Sequence, residues 1–364
     1  MASLLTLKNF LTLRSPNTDS VVSMLYYRLT VAVLLCFFVL TTTSQFFGNP
    51  IKCISQDDVP EEFLDTYCWL QTTFSVDTAW NLRVGQQVPY PGVHRTDDPS
   101  TIVHHAYYQW VCFVLLLQAG MFYVPHWIWS TVEAGKIQYL TIGLESAVIP
   151  EDERRTRRKL LIGYFMRHLH CHKMYLATFI LSQGLNFINV VGQMLILNRL
   201  LNGHFTEYGF QVVRFLQRDW KNRTDPMVRI FPRMTRCTFY RYGSGGGVQS
   251  SESMCLLPLN NINEKVYVLL WFLFAFLALA SVVSLAGWTV LLVVPKFRLA
   301  VLRYKGHLSV GKRVEKMVRA CSVGDWFLLY QLSSNMDVVN FHSFMEELES
   351  EVEEDLNVTI TKNS

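Results

Sequence analysis

Cysteine is the residue whose placement carries the most chemistry in this chain of 364 residues. Eight are present, at positions 36, 53, 68, 112, 171, 237, 255 and 321. Cysteines pair in oxidising surroundings and stay reduced in the cytosol, so their distribution becomes informative once the chain is divided into compartments. Two further groups invite a chemical reading. Arg167-His168-Leu169-His170-Cys171-His172 offers imidazole and thiolate to a metal. A histidine-box enzyme needs several such clusters, and the other cluster here is the single pair His104-His105, so the stretch reads as a solvated segment. Asp57, Asp58, Glu61, Glu62 and Asp65 place carboxylates within one short stretch. No nucleophile–base set, phosphate loop or paired membrane carboxylate accompanies them, which points away from catalysis, a cofactor or a nucleic-acid partner.

The elements that position these residues follow from hydropathy. Half the residues are apolar and only 17% are charged, against about a quarter in a soluble domain. Four runs exceed the ~20 residues needed to cross the hydrocarbon: 25–47, whose one charge is Arg28; 107–129; 174–201, polar-spotted with Arg199 near its end; and 266–294, with no charge. Tyr107, Tyr108 and Trp110 at one end of the second run, and Trp127 and Trp129 at the other, suit aromatic interface belts. The expectation is an all-α membrane protein with four transmembrane helices. No compact apolar core with a small-residue cleavage site precedes the first run, so it is expected to act as a signal anchor.

Four spans place both termini on one side, and charge chooses the side. The 48–106 loop has three Lys/Arg against eight Asp/Glu, and the 130–173 loop has eight Lys/Arg, among them Arg154, Arg155, Arg157, Arg158 and Lys159. Eight more lie between Lys296 and Arg319 in the 295–364 region. The positive-inside rule makes the termini and the middle loop cytoplasmic. The 202–265 loop disagrees, with nine Lys/Arg against five acids, but it is about as long as the limit within which the rule counts. The cysteines side with the first reading. Cys53 and Cys68 fall in one outer loop and Cys237 and Cys255 in the other, whereas Cys171 and Cys321 are isolated on the inner side. Disulfide-bonded extracellular loops and a helical cytoplasmic domain are expected. Four cysteines allow three pairings, and spacing alone does not choose.

Smaller features complete the reading. Residues 1–24 open on an amphipathic LLTLKNFLTL expected to be helical and to line a bundle or pore. Asp58-Val59-Pro60-Glu61 reads as a helix start with Asp58 as cap and Pro60 in the first turn. Gly243-Ser244-Gly245-Gly246-Gly247 reads as a flexible tip, and the acidic stretch Met345 to Leu356 as a solvated helix or tail. Gln183, Asn186, Asn189 and Gln193 share about a third of one helix circumference, fit either for interhelical hydrogen bonds or for lining a wet cavity. Pro125 frees a backbone carbonyl, as a packing feature or as a hinge. Asn222-Arg223-Thr224 is a glycosylation acceptor on the outer side. The acids at 57–62 either cap a helix or form a cation-favouring ring at a pore mouth.

Several blocks, in order, resemble the innexin family. They are Gly48-Asn49-Pro50-Ile51 leading to Cys53, Tyr67-Cys68-Trp69, Tyr107-Tyr108-Gln109-Trp110-Val111, and Pro125 followed by Trp127 and Trp129. Phe231 to Phe239 (FPRMTRCTF), Cys255 to Asn260 (CLLPLN), Asn263 to Tyr267 (NEKVY) and Gly324 to Tyr330 (GDWFLLY) follow, so the similarity covers roughly residues 19 to 340. The two cysteines per outer loop differ from the three of connexins and match pannexins, whereas the YYQWV block is innexin-like. The resemblance implies a plasma-membrane subunit that forms a ring with other innexin subunits, an octamer, docking with an opposed hemichannel across the gap between cells. It implies an N-terminal funnel in the pore, with Ala2 and Leu5 among its residues and Asp57, Asp58, Glu61 and Glu62 near the outer mouth. It also implies the pairings Cys53 with Cys255 and Cys68 with Cys237. The function implied is passage of ions and small molecules between adjacent cells; the alternative is a non-junctional, pannexin-like hemichannel releasing small metabolites.

Overall fold

The computed structural model describes residues 17–54, 59–96, 98–146, 149–217, 225–306 and 321–363. In chain order its helices are α1 (Val21–Phe46), α2 (Glu61–Gln71), α3 (Val111–Glu133), α4 (Lys136–Thr141), α5 (Glu151–Arg167), α6 (Lys173–Leu200), α7 (Phe205–Gln217), α8 (Pro226–Ile230), α9 (Pro258–Val293), α10 (Pro295–Gly306), α11 (Val323–Asn335) and α12 (Val338–Asn363). The strands are β1 (Lys52–Cys53), β2 (Thr73–Val76), β3 (Ile102–His105), β4 (Met234–Tyr242) and β5 (Val248–Leu256). Helices α1, α3, α6 and α9 are long and apolar enough to cross a membrane. The fourth begins at Pro258, eight residues before the apolar run, because its first turns carry buried polar groups: Asn260, Asn263 and Glu264.

The chain divides into two units, Leu25–Tyr123 with Phe187–Leu279, and Met1–Met24 with Val124–Asn186 and Ala280–Ser364. The first unit thus collects both loops expected outside, and the second collects the N-terminal segment, the middle loop and the C-terminal region.

In the first unit the two loops share a five-stranded antiparallel sheet of order β1-β5-β4-β2-β3. A sheet was not among the expectations, although the chain remains mostly helical. Its longest pairing, β4 with β5 from Met234↔Leu256 to Tyr242↔Val248, closes through Gly243–Gly247. Gly243 N donates to Gly247 O at 2.8 Å, and Gly246 takes φ +77°, a conformation open to glycine at little cost. The glycine stretch is therefore a hairpin turn rather than a loose tip. Helix α2 packs on β4, with Phe63 and Tyr67 set edge-on to Phe239 at centroid distances of 5.9 and 5.0 Å.

In the second unit the core is aromatic. Phe179 lies 4.8 Å from both Trp288 and Phe327, and Trp129 lies 5.1 Å from Phe179. Leu161, Ile162 and Phe165 of α5, and Phe341, Phe344, Met345, Leu348 and Val352 of α12, close over it. The acidic stretch is therefore not simply solvated: spacing of three and four residues buries one face of α12 and leaves Glu346 and Glu351 exposed on the other. Glu347 reaches Arg158 at 3.2 Å, and Arg158 also bonds Glu151 at 2.9 Å, so one of the loop's arginines is a buried ion-pair member.

The aromatic belts are also redistributed. Trp110 and Trp127 are exposed, as a lipid-facing belt requires, but Tyr107, Tyr108 and Trp129 are buried.

Candidate functional site

The two loops expected outside are fastened into one body by two disulfides, Cys53–Cys255 and Cys68–Cys237, the pairs the resemblance implies. Each sits where the backbone already brings its cysteines together. Cys53 and Cys255 are facing residues of β1 and β5, and Cys68, at the middle of α2, faces Cys237 on β4. The Sγ atoms of Cys53, Cys68 and Cys255 all lie within 4.8 Å of one another, so the two bridges are neighbours. Asp65 accepts a hydrogen bond from Cys53 N at 2.6 Å, which orients α2 against the first bridge. This acid is therefore structural, whereas Glu61 and Glu62 are exposed in the first turn of α2. The cap position is Pro60, without a side-chain cap; Asp57 and Asp58 lie outside the described residues, as do Ala2, Leu5 and Asn222.

The blocks that carry the resemblance sit at the joints of this body. Tyr108 packs at a tilt against Trp69 at 4.7 Å, Tyr107 meets Phe231 edge-on at 5.4 Å, and Gln109 Nε2 donates to the Trp69 carbonyl. The YYQWV block thus ties the start of α3 to α2. Arg233 grips the buried carboxylate of Glu264 with two bonds, Nη2 to Oε1 at 2.7 Å and Nε to Oε2 at 3.3 Å, while Asn260 donates to the Pro232 carbonyl at 2.8 Å. The FPRMTRCTF and NEKVY blocks thereby tie β4 to the start of α9. Arg236 pairs with Glu252 across β4 and β5 and donates to the His94 carbonyl.

His105 closes β3, its Nε2 2.8 Å from Ser75 Oγ, both residues buried. Burial, and secondarily the neighbouring His104, depress its pKa to about 4. A histidine in the unfolded chain titrates near 6.5, so between pH 6.5 and 4 the unfolded chain binds the extra proton. Stability is then full above pH 6.5 and declines as pH falls toward 4, by about 3 kcal/mol in all. Thermal unfolding of detergent-solubilised protein followed by tryptophan fluorescence should show a lower transition at pH 5 than at pH 7.5. The difference should shrink in His105→Gln, which keeps a partner for Ser75.

Polar side chains on α6 face neighbouring helices rather than a cavity alone. Pro125 has no N–H for the carbonyl of Met121, and Asn189 Nδ2 donates to that carbonyl at 3.2 Å. Ser182 Oγ donates to the Pro125 carbonyl at 3.0 Å. Gln183 accepts from Ser20 Oγ at 3.0 Å and donates to Ser23 Oγ at 2.8 Å, and Asn186 donates to Ser23 Oγ at 3.3 Å. The start of α1 is thus held from α6.

The segment before α1 is held from α11. Asn17 N donates to Asn335 Oδ1 at 2.7 Å, Asn335 Nδ2 donates to the Asn17 carbonyl at 3.3 Å, and Gln331 Nε2 donates to the Thr18 carbonyl at 3.1 Å. Whatever precedes Asn17 leaves from a point fixed by the C-terminal region.

Helix α11 is itself seated by a buried carboxylate that the sequence reading passed over. Asp325 Oδ2 accepts from His170 N (2.9 Å), Ser322 N (3.0 Å) and Ser322 Oγ (2.7 Å), and Oδ1 accepts from His172 Nδ1 (2.8 Å). Burial alone raises its pKa, but the bonds from His172, Ser322 and His170 outweigh this and leave it below the usual carboxylate range. His172 is therefore not solvated, and the histidine cluster is a docking point for α11. Gly324 permits it: a Cβ there would come within 2.5 Å of the His172 carbonyl. Beyond its place in the GDWFLLY block, the sequence signal was local, Ser322 and Asp325 as a capping box, which is present.

A family model described as Innexin matches residues 19–352. The chain is 40% identical over 343 residues to innexin shaking-B of Drosophila melanogaster, covering 94% of this chain and 92% of that protein. It is 40% identical over 347 residues to innexin inx2 of Schistocerca americana, covering 95% and 96% respectively. It is also 36% identical to innexin inx1 of the same locust, over 348 residues.

Proposed function

The chain belongs to the innexin family, and from that premise we propose that it is a structural subunit of gap-junction channels passing ions and small molecules between adjacent cells. Its subunits form a ring, an octamer on the family pattern, with both termini cytoplasmic, and two rings dock through the paired outer loops. The observation that carries this reading is the disulfide-braced sheet that merges both loops into one body. A docking surface made of separate flexible loops would have to be ordered on contact, at a cost per immobilised side chain of about 0.5–1.5 kcal/mol. Cross-loop bridges set that order beforehand.

Paired-cell recordings test the proposal. Junctional current between two expressing cells supports it. Current confined to single cells would move the protein to the non-junctional reading, and neither current would leave an adhesive or scaffolding role.

The N-terminal segment, with Ala2 and Leu5, lines the inner mouth in this proposal, and Asp57, Asp58, Glu61 and Glu62 stand near the outer one. Glu61 and Glu62 have exposed side chains that a ring of subunits would repeat around the axis. Glu61→Lys should lower the cation-to-anion permeability ratio of hemichannels, measured as reversal potential under a salt gradient. The change should be about twofold or less and should grow as salt is reduced, because charges beyond ~8 Å are screened at physiological ionic strength. An unchanged ratio at low salt would assign these acids to the helix start alone.

A further inference from the structure

A cavity of about 390 Å³ lies in the second unit between the segment Asn17–Val21 and helices α6, α9, α10 and α11. Its walls combine an aromatic side, Phe179, Trp288 and Tyr330, with one ammonium, that of Lys305. Lys305 Nζ lies 3.8 Å from the Tyr330 ring centroid and 2.6 Å from Ser334 Oγ. Among the described residues no carboxylate is ion-paired to it. Ser334 Oγ donates its own hydrogen to the Tyr330 carbonyl at 3.0 Å and so fixes the ammonium, which keeps two hydrogens and no counter-charge, half of a phosphate site. The other charged group on the lining is Asp19, whose Oδ1 is 3.5 Å from His126 Nδ1. A carboxylate in the same cavity disfavours a doubly charged phosphate monoester and tolerates a singly charged diester.

Depth identifies the source of such a diester. Val21 is the first residue of α1, Phe179 lies six residues into α6, and Trp288 lies five residues before the end of α9. At 1.5 Å per residue these positions fall within about 10 Å of the helix ends, the layer in which headgroups and interfacial tryptophans lie.

We propose that this cavity is a phospholipid site, with the phosphodiester on the Lys305 ammonium and the adjoining glycerol and acyl carbons against Trp288 and Phe179. The proposal rests on the four-span membrane reading and adds a ligand to it. The bound lipid would touch both the segment leading into α1 and helix α11, the two partners of the Asn335 and Gln331 contacts.

The test is native mass spectrometry of the full-length protein purified in detergent and reloaded with phosphatidylethanolamine and phosphatidylcholine. Wild type should retain lipid that Lys305→Ala loses by about tenfold, the worth of one charge-assisted hydrogen bond. Gly287→Leu provides a second variant. Gly287 lines the cavity and a Cβ there meets nothing within 4 Å, so the added side chain fills the space while every bond of Lys305 remains. It should lose the lipid too, whereas Lys296→Ala, outside the cavity, should not. Equal retention in wild type, Lys305→Ala and Gly287→Leu overturns the proposal. Displacement of the lipid by millimolar inorganic phosphate overturns it as well, since the site would then serve a soluble anion. Retention does not depend on conduction. Junctional current from a protein that retains no lipid refutes this site alone, and retention without any current refutes only the channel reading.

Discussion

Serine at both Cys68 and Cys237 should abolish junctional current, with a loss of at least about tenfold in paired-cell conductance. The bridge between them joins residues 169 apart in sequence. Chain-entropy arguments give a closure of that length about 5 kcal/mol at most, and less here because helices inserted in a membrane already restrict the loop ends. Even half of that is large against the 5–15 kcal/mol by which domains are stable. Both partners of this bridge are fully buried, so reductant should reach it only after the sheet opens. The double variant is the clean one. Cys237→Ser alone leaves a Cys68 thiol beside Cys53–Cys255, near enough to attack it, link to one of those sulfurs and release the other as a thiolate. Alkylation without reductant followed by peptide mapping supplies the baseline. Wild-type surface protein should yield two linked peptide pairs, with Cys171 and Cys321 as thiols. Labelling of Cys53, Cys68, Cys237 or Cys255 in that protein would sink the account.

Alanine at Asp325 should cost about 3–5 kcal/mol, because it strands the donors of His170, Ser322 and His172 in a buried site. Asparagine should cost much less. Its amide can place oxygen where three donors converge and turn its nitrogen toward His172 Nδ1, which can give up its proton and accept. An Asn variant as damaged as the Ala variant, in thermal unfolding or in surface abundance, would contradict this reading. His172→Ala should add little in the Asp325→Ala background, since the two residues form one network. Acid should not reproduce these effects near neutrality. A carboxyl titrates near 4 in the unfolded chain and lower here, so its contribution is complete above that value and is lost only as pH falls below it.

The four long helices were legible in the sequence because crossing a membrane demands some twenty apolar residues in a row, a constraint local enough to read directly. The sheet was not, because β5 reads VQSSESMCL, largely polar, and one of its two partners, β1, lies in the other loop. The glycine turn between two nine-residue runs was a hairpin signal that a flexible-tip reading set aside. The Asp325–His172 contact spans 153 residues and left no periodic trace. In the YYQWV block Trp110 is exposed and Tyr107 and Tyr108 are buried, and hydropathy cannot tell a tyrosine facing headgroups from one packed inside. Only the packing partners, Trp69 and Phe231, make that distinction.

The way Asn335 and Gln331 hold the chain ahead of α1 bears on how variants could be assembled. Every bond in that grip falls on main-chain N–H or C=O groups of residues 17 and 18 and none on their side chains. It reads position and is indifferent to spelling. An N-terminus borrowed from a relative should therefore seat in the same place, provided residue 17 is not proline, which lacks the donated hydrogen. Exchange of this segment between subunits of different sequence becomes a modular operation: the residues ahead of Asn17 can be rewritten while their anchor stays constant.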